Sequence, residues 1–415
     1  MDTITHGIVG ALVGKAFFAG RDVPADTARS TQPHSESAPT ARVAIVACTL
    51  GSIFPDIDVF AGPIARNPLA IMEWHRNITH SLVMLPVWAV LLAAVSLPLA
   101  RRIGWKPPSF AKLVGIYALA LATHVFLDVA TSFGTMVWSP VKYSRIAWDW
   151  LFILDLTFTS IALVPQFVAW CYREPREFGW RSGAVWGALT VGAFGAYALA
   201  ETAGYRFRIW VVVAASAAVA ALIFLPAIEG IGFRWRRASW CRVGLVALCA
   251  YVAFAAAAHR KALAYVEEFA ASHHLRVENL VALPLPPTLT HWAGVISTPE
   301  GVWRTTFHVP GGNVERTQLY ADAGSDRYVA EAKQLRDVQV YLWFARFPVY
   351  QVSHGGNGHT RVDISDVRFF RDLVGEPRRI RYPAEMHIRA TGFMFEVEFD
   401  GLGRVVRDGW ASTKE

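Results

Sequence analysis

Up to His259 the chain alternates long apolar runs with short polar clusters; beyond that point charge returns and the apolar spacing shortens. Ile4 to Ala19 is a short segment rich in Gly and Ala. After it come Arg42 to Phe60, Thr79 to Ala100, Phe110 to Thr131, Trp150 to Tyr172, Ala184 to Ala200, Ile209 to Ile228 and Val243 to Ala258. Most approach the roughly 20 residues a helix needs to cross the hydrocarbon core, so the pattern predicts an α-helical membrane bundle of about eight helices. Arg21 to Thr40 reads as a polar loop. His259 to Leu275, with Ala262, Val266, Phe269 and Ala270 on one side, reads as a helix leaving the membrane. Segments rich in Val, Trp, Thr, Phe and Tyr follow at Thr290 to Ile296, Gly301 to Val309, Val338 to Phe344, His359 to Phe369 and Arg389 to Phe399. They predict a small, mainly antiparallel β-domain. The expected division is residues 1–258 as the membrane-embedded helical domain, 259–280 as exit helix and linker, and 281–415 as a β-rich soluble domain.

Composition sharpens the picture in two respects. Only 18% of the residues are charged and 53% are hydrophobic, where soluble domains carry about a quarter charged residues. The net charge of +7 does not point to nucleic acid, because the basic residues fall largely in short loops between apolar segments, where they orient a membrane protein. Cys48, Cys171, Cys241 and Cys249 have no metal-type spacing and read as small membrane-buried residues. Asp2, with no Lys or Arg, precedes the first apolar segment, so that segment is expected to stay in the mature protein.

The candidate chemistry lies at the ends of the apolar segments. Glu73 to Leu82 places His75, Arg76, Thr79, His80 and Ser81 where a loop meets hydrocarbon, and such groups are costly there unless they bind something. Pro55-Asp56-Ile57-Asp58 and His124-Val125-Phe126-Leu127-Asp128 have the same character. His124 and Asp128 stand four apart and can reach one ion from one helix face. His75 and His80 are five apart, about 140° around a regular helix, so they converge only if His75 lies in the loop and Thr79-His80 opens the helix. Asp56 and Asp58 alternate after Pro55 in a geometry that can aim both together. If the segments alternate in direction, Asp2 and His6, Asp56 and Asp58, His75 and His80, His124 and Asp128, and Asp149 and Asp155 share one membrane face. The opposite ends are richer in Lys and Arg, including Arg101, Arg102, Lys106, Lys112, Arg173 and Arg176, which makes the cluster face extracytoplasmic.

The candidate metal ligands are therefore His6, Asp56, Asp58, His75, His80, His124 and Asp128. Imidazole with carboxylate suits zinc, one ion or two, and also manganese or iron. Asp58 or Asp155 is the candidate base for an activated water; Arg76 and Arg145 are candidates to pair with Asp155 or to hold an anionic substrate. Gly-x-Ser-x-Gly, Walker and His-Glu-x-x-His motifs are absent from the sequence.

These motifs, with Met1-Asp2-Thr3-Ile4-Thr5-His6-Gly7, Thr131-Ser132-Phe133-Gly134-Thr135, Arg145-Ile146-Ala147-Trp148-Asp149 and Phe152-Ile153-Leu154-Asp155, make the first 160 or so residues resemble the YdjM/YfhP-type integral-membrane metal-dependent hydrolases. Trp343-Phe344-Ala345-Arg346-Phe347-Pro348 resembles the C-terminal part of longer members. The resemblance implies a distant similarity to zinc-dependent phospholipase C, whose helix-borne His-x-x-x-Asp matches His124 and Asp128; no matching His-x-x-x-Glu occurs, so a full three-zinc site is not implied.

Together these readings predict a hydrolase of the bacterial cytoplasmic (inner) membrane acting at its outer face on a phosphoester or other ester, such as a lipid. The alternatives are an ion or solute transporter, for which buried His and Asp form a path, and a catalytically silent anchor presenting the β-domain. Substrate and oligomeric state are not fixed by the sequence.

Overall fold

The computed structural model describes residues 1–18, 37–202, 208–286, 289–312, 314–321, 323–355, 358–370 and 393–411. The bulk of the expected Arg21–Thr40 loop therefore lies outside the described residues, as does the start of the segment expected at Arg389. Helices α1 (Thr3–Phe18), α2 (Ser37–Ile53), α5 (Leu85–Arg102), α6 (Phe110–Val129), α7 (Leu156–Cys171), α8 (Phe178–Thr202), α9 (Ile209–Phe224) and α11 (Arg237–Ser272) follow the apolar runs. Between them sit the one-turn or short helices α3 (Ala61–Ala65), α4 (Ala70–Glu73) and α10 (Ile231–Arg234). Six helical spans among the described residues are long and apolar enough to cross a membrane; α1 and α7 are apolar but shorter.

α1 packs against α2, α7 and α11, and α6 against α2 and α5, around a core that includes Leu12, Cys48, Tyr117, Leu121 and Phe158. Small residues permit the close approach of α1 and α2: a Cβ at Gly10 would lie 2.6 Å from Ser52 Oγ and 2.8 Å from the Cys48 carbonyl oxygen. This contact carries His6 toward the end of α2. α8 and α9 pack on each other and expose Val191, Leu199, Trp210 and Val213, as expected of lipid-facing helices.

The expectation that Thr79-His80 opens a helix is corrected. His80 closes a 3-10 turn, Ile78–His80, and α5 starts at Leu85 with Pro at its first turn. Ser81 Oγ takes the backbone N–H groups of Val83 and Met84 at 3.0 and 3.2 Å, a local competitor to helix that holds His80 before the helix proper.

α11 is one unbroken helix of 36 residues, joining the last apolar segment to the exit helix. Its C-terminal turns, through Ala262, Val266 and Ala270, pack on Trp292, Ile296 and Phe307 of an antiparallel sheet. That sheet is a meander of β1 (Asn279–Leu285), β2 (His291–Thr298), β3 (Gly301–His308) and β4 (Val314–Ala321). Pro284 is tolerated because β1 is an edge strand. The second meander is β5 (Pro348–His354), β6 (Thr360–Asp366), β7 (Met394–Phe399) and β8 (Val405–Trp410).

Between the sheets lie α12 (Arg327–Ala332) and α13 (Arg336–Phe344), which corrects the strand expected at Val338–Phe344. The β-branched and aromatic composition suggests a strand, but Val338, Tyr341 and Phe344 recur every three residues and bury one helical face. The second sheet and α13 seat on the loop end of the bundle. Leu69, Met72 and Phe133 share a core with Tyr341, Phe344 and Phe395, Arg346 pairs with Asp149, and the Trp410 indole N–H donates to the Pro68 carbonyl at 2.7 Å.

Candidate metal centre

The residues named from the sequence converge although they come from four separate parts of the chain. His6 comes from the first turn of α1, Asp56 and Asp58 from the 3-10 turn Phe54–Phe60 after α2, His75 and His80 from the loop before α5, and His124 and Asp128 from the last turns of α6. Asp56, His80, His124 and Asp128 form a buried quartet that could hold a metal ion; Asp58, His75 and His80 form a second, less buried group.

Within the quartet His80 Nε2 lies 3.3 Å from Asp56 Oδ1 and 3.2 Å from Asp128 Oδ2; His124 Nε2 lies 3.5 and 3.3 Å from the same two oxygens. The hydrogen bonds behind these contacts fix the ring orientations. His124 Nδ1 is 2.7 Å from the Ser52 carbonyl, which only accepts, so this nitrogen carries the proton and a neutral ring turns its Nε2 lone pair to the carboxylates. His124 Nε2, Asp128 Oδ2 and Asp56 Oδ2 are buried without a hydrogen-bond partner. Acceptors facing acceptors in a dry pocket repel unless a cation lies among them.

The charge balance agrees. The three carboxylates of Asp56, Asp58 and Asp128 face Arg76, whose Nη2 is 2.8 Å from Asp128 Oδ1, and the N-terminal ammonium, so they still outnumber these cations. Burial alone would lower the pKa of His80, but Asp128, Asp56 and Asp58 carry it up to about 10, a measure of how strongly the pocket calls for positive charge. His6 stacks on His124 with ring centroids 3.7 Å apart, and its Nε2 is 3.1 Å from Asp128 Oδ1. The Met1 nitrogen contacts the same carboxylate.

Asp58 stands behind His80. Its Oδ2 takes the Arg76 backbone N–H at 3.1 Å and the Thr79 hydroxyl at 2.8 Å, with His80 Nδ1 at 3.2 Å; its Oδ1 is 2.7 Å from His75 Nδ1. Arg76 adopts a left-handed backbone, φ +61°, held at one end by that Asp58 bond and at the other by its guanidinium on Asp128 and Thr131.

The expectation that Asp155 serves as a base paired with Arg76 or Arg145 is revised. Asp155 is not a free base: its Oδ1 caps α7 by accepting from Thr157 and Phe158 N–H at 3.0 Å each, and its Oδ2 takes the Tyr251 hydroxyl at 2.7 Å. Arg76 pairs with Asp128 and not with Asp155. Arg145 donates to the carbonyls of Gly134, Met72 and His75. Asp2 caps α1 through Thr5 N at 2.9 Å, and Asp149 is engaged by Arg346 at 2.9 and 3.0 Å.

A cavity of about 370 Å³ opens between the bundle's loops and the end of α13, lined by Phe133, Arg145, Trp343, Phe344, Arg346 and Arg368. Phe133 separates it from the imidazoles, with His75 edge-on at 5.6 Å and the Arg76 guanidinium 5.0 Å above its ring. Arg346 is neutralised by Asp149 and Arg368 by Asp366, whereas Arg145 has carbonyl partners and aromatic faces but no ion pair among the described residues. Burial, then Arg76 and Arg368, push its pKa down to about 9, so an anion beside it would relieve like-charge repulsion.

A family model described as YdjM inner membrane protein matches residues 1–203. Over these residues the chain is similar to the YdjM inner membrane protein family. The chain is accordingly a multi-pass membrane protein, and every member of the buried quartet lies within the YdjM-family region. A protein of Bacillus subtilis (strain 168), "Uncharacterized protein YfhP", is 26% identical over 147 residues, which are 35% of this chain and 39% of that relative. No solved structure matches. The comparisons do not extend the likeness to zinc-dependent phospholipase C.

Proposed function

We propose that this chain is a metal-dependent hydrolase of the inner membrane, with its ion held by Asp56, His80, His124 and Asp128. The observation that carries the reading is the set of buried, unpartnered acceptors on His124, Asp128 and Asp56. Zinc suits two imidazoles and two carboxylates best, with manganese or iron as substitutes. A bound ion would supply Lewis-acid polarisation of an ester oxygen and activation of water. In this reading Asp58 orients His80 and His75, Arg76 holds Asp128 in place, and His6 packs the far side of His124. Arg145 receives the anionic part of a phosphoester or related ester, and the aromatic walls of the cavity take apolar substrate such as a lipid chain. The domain division at 258 and 281 and the extracytoplasmic position of the site are part of the same proposal, the latter resting on the Lys and Arg excess at the opposite helix ends.

The test is metal content and turnover of bis(p-nitrophenyl) phosphate for the purified chain and for His124→Ala. Loss of turnover and of one equivalent of metal is expected in the variant; a variant that keeps its full metal content and its turnover overturns the proposal.

A further inference from the structure

The first sheet gathers a separate group at its end nearest the bundle, where Trp292 lies 5.8 Å from the His259 ring and Leu289 packs on the bundle core. Three adjacent strands contribute one side chain each: His291 opens β2, His308 closes β3 and Glu315 lies at the start of β4. His291 and His308 are register partners, their rings stacked at 4.9 Å. This follows from the meander: the turns β1–β2 and β3–β4 fall at one end of the sheet, so the first residue of β2, the last of β3 and the second of β4 meet there.

The hydrogen bonds settle which ring nitrogens face inward. His291 Nδ1 is 3.3 Å from the Pro286 carbonyl and His308 Nδ1 is 3.1 Å from the Thr290 carbonyl. A carbonyl only accepts, so both Nδ1 atoms carry hydrogen, and a neutral ring then offers its Nε2 lone pair. Both Nε2 atoms are directed at one carboxylate: His291 Nε2 is 3.4 Å from Glu315 Oε2 and His308 Nε2 is 2.9 Å from Glu315 Oε1. His291 Nε2 is buried and has no hydrogen-bond partner. A single proton shared with Glu315 would satisfy one of the two nitrogens and leave the other as an acceptor facing an acceptor. One metal ion satisfies all three groups, and ligands about 2.0–2.1 Å from a tetrahedral zinc stand roughly 3.3 Å apart, close to the separations here. Imidazoles whose far nitrogens are fixed by carbonyls are also the usual support of metal-binding histidines.

We propose that His291, His308 and Glu315 form a second metal site, of the zinc type, independent of the quartet in the bundle. Half-exposed His308 and Glu315 leave the remaining coordination position to solvent. The ion fastens β4 to β2 and β3 where the ladder slips, since the β3–β4 register shifts between Thr306 and Phe307.

The test uses the full chain in detergent, with His80→Ala and His124→Ala removing the bundle quartet. Metal per chain after zinc loading, and the visible absorption of a cobalt(II) titration, are read before and after adding His308→Ala or, more conservatively, Glu315→Gln. One equivalent that survives the bundle substitutions and is lost with either sheet substitution is expected. If the bundle variant does not fold, His308→Ala alone should lower the wild-type content by one equivalent. No metal in the bundle variant, or a content indifferent to His308→Ala, overturns the proposal.

Discussion

Asp58→Asn separates an ion ligand from the residue that aims one. Asp58 meets four donors: His75 Nδ1 at 2.7 Å on Oδ1, and Arg76 N, Thr79 Oγ1 and His80 Nδ1 at 3.1, 2.8 and 3.2 Å around Oδ2. An asparagine that keeps its carbonyl oxygen in the Oδ2 position retains three of the four, so the folded state should lose only about 1 kcal/mol, the worth of one ordinary hydrogen bond. The negative charge behind His80 disappears, and with it the bias that turns His80 Nε2 to Asp56 and Asp128. Removing such a supporting carboxylate typically costs 10–100-fold in metal affinity, or about 1.4–2.8 kcal/mol. The assay is a chelator-competition zinc titration of the full chain in detergent, with His308→Ala present so that only the bundle quartet titrates. Asp58→Asn should show a weakened but saturable site, and His80→Ala should show none. An unchanged affinity would refute the orienting role, and a loss as complete as that of His80→Ala would make Asp58 a direct ligand.

Arg145→Gln should raise KM for an anionic ester several-fold and leave metal content unaltered, read from steady-state kinetics beside metal analysis; Arg145→Lys should fall between. Asp155→Ala should lower stability by about 1–3 kcal/mol through loss of the α7 cap and the Tyr251 bond without altering metal content, while Asp155→Asn keeps most of the cap; thermal unfolding in detergent measures both. Prolonged chelation should abolish turnover and lower the midpoint of unfolding, and zinc should restore both.

The apolar runs made the helical part legible because a bilayer demands internal hydrogen bonding and length, both written plainly in composition. The cluster was legible for a related reason: His and Asp at the ends of hydrocarbon segments are expensive, and alternation of helix direction brings those ends together. Asp155 misled because a carboxylate in an apolar context looks unpaired until the α7 N–H groups and Tyr251 are in view. α13 misled because Val, Tyr, Trp and Phe favour strands by composition, while burial every third residue decides for helix. The group on the first sheet had no local spacing to betray it, since His291, His308 and Glu315 meet only through strand register. The Trp343-to-Pro348 stretch stood out in the sequence, and in the fold it supplies a wall of the cavity and the guanidinium that engages Asp149.

At 1.5 Å per residue the 36-residue α11 is about 54 Å long, against a hydrocarbon core of roughly 30 Å. It acts as a mast stepped in the bilayer, with the first sheet lashed along its upper length and the second resting on the deck beside the imidazoles. The surplus of about 24 Å is what lifts the first sheet clear of the hydrocarbon.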